Sequence, residues 1–292
     1  MQSAHEIAQK IFKLSKQAIN SRRFVQNCLK DTLAILGGIS VFSTVIGFSL
    51  YSYLGESVDW LFRFGIMIVA SIVIFVLVFF VKLRGIYVHG VTLRIKNKPI
   101  YIKRGDIFHQ KGVKVVHFNT CYDTKTDESR VISNSITGSF IKLISEQGKI
   151  RALNAAIKKD RKSKLQVTST DDGKEAYESG TIKVFEDYLL LAFAHLNEKD
   201  EAHFSWCGYE KCLRNMWSEI DRTCQNRAVS LPLLGGGSTR LTPKTEHENL
   251  DLLKTMVHTY KTTDVRLNQP ITIILSEEAM QEINIYNLKE EL

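Results

Sequence analysis

The chain has 292 residues, enough for one sizeable α/β domain plus a membrane module. Its formal charge of +8 is uneven: residues 1–87 hold nine Lys/Arg against four acids, so most of the excess sits beside hydrophobic segments, which points to membrane topology and away from nucleic-acid binding. Five cysteines, an odd number without C-x-x-C or metal-type Cys/His spacing, fit free thiols in a reducing cytosol and argue against a structural zinc site.

Residues 1–31 form a basic amphipathic segment in which Ile7, Ile11, Leu14 and Ala18 repeat at helical spacing. Such a helix lies on an anionic inner leaflet or packs on another subunit. Two uncharged apolar runs follow, at 32–53 and 64–81, each near the ~20 residues a helix needs to cross the hydrocarbon core. Together with their flanks they define a transmembrane hairpin over 32–87. Basic residues precede the first run and follow the second, whereas the connecting loop holds Glu56 and Asp59, with Arg63 at its edge and Tyr53 and Trp60 at interface positions. The positive-inside rule therefore places both ends in the cytoplasm, as expected for a multi-pass protein of a bacterial inner membrane. Gly37, Gly38 and Gly47 give the first run a small-residue face of the kind that permits close helix packing. A late apolar run without a small-residue cleavage site argues against a signal peptide.

From Val88 to Leu292 the pattern becomes alternating strands and helices. Strands are predicted at 92–95, 99–103, 113–118, 181–185, 188–194, 227–231 and 271–275, and helices at 139–145, 206–224, 250–260 and 277–285. This alternation describes a layered α/β domain. The polar stretch 158–180 reads as a solvated loop or hairpin insertion.

Three loops carry candidate chemistry. The first is Gly105-Asp106-Ile107, where a carboxylate after a strand can accept from an exocyclic amine such as that of adenine; a Gly-Asp pair serves equally well as a helix cap. The second runs from Asn119-Thr120 to Ser133-Asn134-Ser135-Ile136-Thr137-Gly138-Ser139, rich in small groups suited to ribose hydroxyls and phosphate oxygens. The third is Leu234-Gly235-Gly236-Gly237-Ser238-Thr239-Arg240, whose three glycines leave backbone N–H groups open to a phosphate; alone, the same run serves as a flexible turn. His109, His117 and His195 stand near these loops, but histidines so placed are commonly structural and stay outside the candidate set.

In their order, the loops resemble those of a macro domain, the ADP-ribose-binding fold with a mixed sheet flanked by helices. Gly105-Asp106-Ile107 is similar to that family's adenine-contacting G-D-I segment. Phe118-Asn119-Thr120-Cys121-Tyr122 is similar to its V-N-A-A-N strand end, and Pro232 to Gly237 to its second phosphate loop. With two apolar runs ahead of it, the chain further resembles the membrane-anchored macro-domain effectors of the Thoeris antiphage defence system, through Ser133–Ser139, Leu190–His195 and Leu231–Arg240. That resemblance implies a histidine–ADP-ribose signal made from NAD by a partner TIR-domain enzyme. Binding of the signal by the macro domain would lead to oligomerisation, damage to the cell's own membrane, and death or growth arrest.

The implied ligand contacts are Asp106 and Ile107 at adenine, and Asn119, Ser133, Ser135, Thr137 and Gly138 along the ribose-phosphate channel. Leu234, Gly235, Gly236, Gly237, Ser238 and Thr239 would surround the diphosphate, with Arg240 adding charge. Hydrolytic macro domains carry a second Asn where this chain has Tyr122, and a glycine-rich loop where it has Asp123 to Arg130. The departure favours binding without chemistry: no catalytic residue, no metal and no cofactor beyond the signal ligand. Asp123 and Asp127 are candidates to pair with a cationic group on the ligand or to lie in an exposed loop. The alternative is a membrane-tethered ADP-ribosyl hydrolase. P-loop, nucleophile-elbow and H-E-x-x-H patterns are absent from the sequence.

Overall fold

A computed structural model of the chain describes residues 4–45, 59–124, 135–159, 167–169, 175–196, 202–224, 227–237, 239–245, 248–288 and 292. Ser133, Ser238 and Asp127 lie outside the described residues, as do positions 46–53 of the first apolar run. The chain divides into two units, one built from Met1–Gly90 together with Asn284–Glu290, the other from Val91–Ile283 with Glu291–Leu292. The sequence reading assigned that C-terminal segment to the α/β domain; in the structure it groups with the N-terminal helices.

The first unit contains α1 (Ala4–Asn20), α2 (Arg22–Val45) and α3 (Trp60–His89). The basic N-terminal segment is thus not one helix through residue 31. It breaks at Ser21, whose Oγ accepts from Phe24 N at 3.4 Å and starts α2. Helices α2 and α3 have 24 and 30 residues, about 36 and 45 Å at 1.5 Å per residue, and are long and apolar enough to cross a membrane. Most of their apolar side chains face outward: Phe42 is 65% exposed and Val69 60%. That pattern is the reverse of a buried core helix. The two helices are joined near one end. Phe24 packs edge-on to Phe79 at 5.4 Å, and Lys82 Nζ donates to Asn27 O at 2.9 Å and pairs with Asp31 at 2.6 Å.

The second unit is a mixed sheet flanked by helices. Its strands are β1 (Val91–Ile95), β2 (Lys98–Arg104), β3 (Val113–Asn119), β6 (Ile182–Phe185), β7 (Tyr188–Leu196), β8 (Ala202–Ser205), β9 (Val229–Pro232), β10 (Arg240–Thr242) and β11 (Ile271–Leu275); β4 (Val167–Ser169) and β5 (Glu175–Tyr177) form a separate hairpin within the polar insertion. The main sheet runs β1-β2-β11-β9-β3-β7-β8-β10, with β6 also on β7. Strands β2, β11, β9, β3 and β7 are mutually parallel, and β1 and β6 pair antiparallel at the margins. Central strands are covered on both faces, which explains the uninterrupted apolar run Leu189–Ala194, every residue of it buried. The helices are α4 (Ile136–Glu146), α5 (Ile150–Lys159), α6 (Trp206–Cys224), α7 (Glu248–Thr262) and α8 (Glu277–Glu282), with a 3₁₀ turn at Ile107–His109.

One core cluster lies beneath α4 and α5, around Val116, Phe118, Phe140, Ile144 and Leu153. Tyr122 belongs to it. Its backbone is left-handed at φ 53°, and its hydroxyl donates to Thr181 O at 2.9 Å and Leu190 O at 3.2 Å. The buried Lys183 ammonium sits over the Tyr177 ring at 3.7 Å and the Tyr122 ring at 5.1 Å, and donates to Ile157 O. A buried cation thus holds the insertion hairpin, α5 and the turn after β3 together through aromatic faces and one carbonyl.

Candidate functional site

The parallel strands β2, β11, β9 and β3 all end on the same side of the sheet. The loops that leave those ends surround a cleft of about 730 Å³, where ligands of open parallel sheets are usually held.

At one wall stands Gly105-Asp106-Ile107-Phe108, after β2. Asp106 does cap the 3₁₀ turn: Oδ1 accepts from Phe108 N at 2.9 Å, and Oδ2 lies 2.8 Å from His109 Nδ1. The carboxylate remains half exposed and keeps free lone pairs, so capping and ligand contact are compatible. Gln110 Nε2 donates to Asp106 O at 2.7 Å and fixes the turn from outside.

The middle is the triglycine loop after β9. Gly235 takes φ +87°, a left-handed conformation that a side chain would strain, and a Cβ there would meet Leu252 at 3.0 Å. At Gly236 a Cβ would meet Asn249 Oδ1 at 2.8 Å, whereas at Gly237 nothing lies within 4 Å. The loop is therefore packed at its base and open at its tip. Leu234 faces the interior, where its carbonyl accepts the Tyr209 hydroxyl at 2.8 Å. Burial pushes the Tyr209 phenol well above its usual range, so this donor keeps its proton.

Across from the loop is the start of α4. Ser135 Oγ accepts from Gly138 N at 3.0 Å, and Ser135, Ile136 and Ser139 line the cleft. Thr137 and Gly138 are buried and build the helix start from behind, Thr137 by donating its hydroxyl to His117 O. Asn119 does not line the cleft. Its Nδ2 donates to Asp123 Oδ2 at 2.9 Å and its Oδ1 accepts from Asp123 N at 3.0 Å. Thr239 lines the cleft, and Arg240 opens β10.

Sequence reasoning missed two contributors. One is the turn from β11 to α8, where Ile274, Ser276, Glu277, Glu278 and Ala279 close the fourth wall. Ser276 Oγ caps α8 by accepting from Ala279 N at 3.2 Å, and Glu277 pairs with Arg104. The Ser-Glu-Glu run after an apolar strand was the available signal. The other is His117 of β3, set aside as structural, which lines the cleft floor. Among the described lining residues there is no Lys or Arg, whereas Asp106, Glu277 and Glu278 are acidic. An anionic ligand here would rely on backbone N–H groups and the start of α4.

Long exposed apolar helices ahead of a mixed α/β sheet with this cleft describe a macro-like domain joined to an apolar helical unit. A family model described as "Thoeris protein ThsA, Macro domain" matches residues 100–276. The chain belongs to this Thoeris family. A relative, Thoeris protein ThsA of Bacillus amyloliquefaciens (strain Y2), is 28% identical over 283 residues, covering 94% of this chain and 92% of the relative. Solved structures that it resembles include the Oceanobacillus iheyensis macrodomain with ADP, at 15% identity and TM-score 0.35 over 69% of this chain and 93% of that one. Another is the macro domain of ganglioside induced differentiation associated protein 2, at 10% identity and TM-score 0.34 over 64% and 81%.

Proposed function

We propose that this chain is an antiphage effector that binds an ADP-ribose-derived signal in the cleft and then oligomerises and disrupts the membrane its apolar helices occupy. The observation that carries the reading is convergence. The Asp106 turn, the open tip of the triglycine loop and the start of α4 meet in one cleft, within a chain of the Thoeris family whose α2 and α3 expose membrane-length apolar surfaces. Asp106 accepts from the adenine amine, and the backbone N–H groups of the glycine loop and of α4 receive the diphosphate. The signal this reading favours is histidine–ADP-ribose made by a TIR-domain partner, as the resemblance to membrane-anchored Thoeris effectors implies.

Activation requires that the ligand favour one state of the protein over another. A single helical hairpin is too little protein to form a pore, so the active state is an assembly of copies, with both chain ends and the macro-like unit on the cytoplasmic side. The position after β3 supports binding without turnover. Asn119 is engaged by Asp123 and Tyr122 is buried in the core, leaving neither side chain in the cleft to activate a water.

Calorimetry on the full chain in lipid nanodiscs, with ADP-ribose and with histidine–ADP-ribose, tests the reading. Binding of either supports it; no heat from either at millimolar concentration refutes it. Mass spectrometry of the same mixtures detects turnover, and release of free ADP-ribose from a modified substrate would replace the sensor with a hydrolase.

A further inference from the structure

Among the described residues that line the cleft, His117 alone has a buried side-chain polar atom without a partner. It projects from β3 on the face opposite Val116 and Phe118, which enter the core beneath α4. Its ring edge meets Phe193 at a centroid distance of 5.8 Å, and its carbonyl receives the Thr137 hydroxyl, so backbone and ring are both held. Yet Nδ1 is buried with no hydrogen-bond partner among the described residues, and Nε2 has none either. Buried polar atoms in folded proteins are nearly always paired, and an orphan calls for a reason.

Burial holds the imidazole neutral, with a pKa lowered to about 4, so at neutral pH one nitrogen donates and the other accepts. Leaving a lone pair unpaired in the interior costs less than leaving an N–H unpaired. The favoured tautomer therefore has its lone pair at the enclosed Nδ1 and its proton on Nε2. The cleft floor then presents a neutral, rigidly placed N–H donor below the glycine loop and the start of α4. Those neighbours offer backbone N–H groups suited to phosphate, and the imidazole adds a side-chain donor at the base of the same channel.

We propose that His117 is a ligand-binding residue, donating Nε2–H to a ribose or phosphate oxygen of the bound ADP-ribose moiety. The inference rests on the function proposed above and deepens it. It assigns the Nε2–H of His117 to the ribose–phosphate part of the ligand, away from the adenine end at Asp106, and leaves the enclosed Nδ1 as an unpaired lone pair. A neutral donor can pair with a ribose hydroxyl as readily as with a phosphate oxygen, so both are arms of the same test.

The test uses the full chain in nanodiscs, titrated calorimetrically with ADP-ribose and with ADP, which lacks the distal ribose. His117→Phe keeps the ring and removes both nitrogens; His117→Gln places an amide nitrogen near the position of Nε2. The Phe variant is expected to bind ADP-ribose about 10-fold more weakly, the value of one hydrogen bond lost from a desolvated site, and the Gln variant to recover most of that loss. If the loss is equal for ADP, the acceptor is a phosphate or proximal-ribose oxygen. If ADP is unaffected, it is the distal ribose. A Phe variant that binds ADP-ribose as tightly as the parent overturns the inference while leaving the proposed function standing. A parent chain that binds no ADP-ribose derivative refutes both. Should either variant fail to fold, ¹⁵N-imidazole spectra of the parent decide: a shifted Nε2 resonance of His117 on adding ADP-ribose supports the contact, and an unchanged one refutes it.

Discussion

The side chain of Asn284 donates from Nδ2 to the backbone carbonyl of Gln17 at 3.2 Å, joining residues 267 apart in sequence. Its Oδ1 accepts from Tyr286 N at 3.2 Å, and the Tyr286 ring lies 4.8 Å from Phe24, which in turn packs on Phe79. The C-terminal segment is thus built into the helical unit. Only Ile283 separates it from α8, the helix whose first turn forms the fourth wall of the cleft. The chain is thus covalently continuous from the cleft wall to the segment packed in the helical unit.

If that connection carries the signal, the double variant Asn284→Ala/Tyr286→Ala should separate binding from response. Affinity for an ADP-ribose ligand should stay within about 3-fold of the parent, because no cleft residue changes, while ligand-dependent dye release from proteoliposomes is lost. Tyr286→Phe is the control. The Tyr286 hydroxyl is buried without a partner among the described residues, so removing it should leave stability unchanged or raise it by about 1 kcal/mol, measured by thermal melting.

The glycine loop makes a second prediction because its three positions differ. Gly237→Val enters open space and should fold with the parent's melting temperature, yet it places a branched side chain on the cleft surface and should weaken ADP-ribose binding at least about 10-fold. Gly235→Ala strains a left-handed residue and crowds Leu252, so it should cost about 1 kcal/mol or more in stability. Melting curves paired with calorimetry separate the two effects.

Tyr209 holds the loop from beneath. Tyr209→Phe leaves the buried Leu234 carbonyl without its donor and should cost about 1–3 kcal/mol in stability. The backbone N–H groups of the next three residues then lose their fixed geometry, so affinity should fall as well, without any change of charge in the cleft.

His117 adds a pH dependence. Its folded-state pKa of about 4 lies below the 6.5 of the unfolded chain, so the unfolded state takes up a proton first as the solution is acidified. The neutral residue contributes stability that is complete above pH 6.5 and is lost as pH falls through 4. Allowing for the surface that His117 keeps on the cleft, the parent should lose about 2 kcal/mol more than His117→Phe between pH 7 and pH 4. Equal losses in denaturant titrations at the two pH values would contradict the burial assigned to the ring.

Much of this architecture was legible because its signals are local. The apolar run Leu189–Ala194 marked a strand over 188–194, and Trp206–Cys224 carried its core stripe at helical spacing. The helix α5 was missed although Ile150, Leu153 and Ile157 repeat at helical spacing; it lies between the helix predicted at 139–145 and the polar stretch 158–180, and only its last two residues fall in that stretch. Strands β8 and β10 are too short to show a period. Of the cleft, the loops with distinctive composition could be named in advance. The wall at Ser276–Ala279 carried only a weak local signal, the Ser-Glu-Glu run after an apolar strand, and becomes part of the site only when β11 inserts between β2 and β9. Asn119 illustrates the opposite difficulty: its position after β3 suggested a ligand contact, and its pairing with Asp123 is invisible until the turn is folded. The docking of Asn284 and Tyr286 on the N-terminal helices has no local signal at all.

The central claim is that an ADP-ribose-derived ligand in this cleft drives the helices to breach a membrane. The full chain, reconstituted in anionic-lipid vesicles loaded with dye and exposed to histidine–ADP-ribose, tests it most directly. The account predicts dye release that depends on the ligand and is abolished by Gly237→Val. Vesicles that stay intact at saturating ligand, or that leak equally with and without it, would contradict the account.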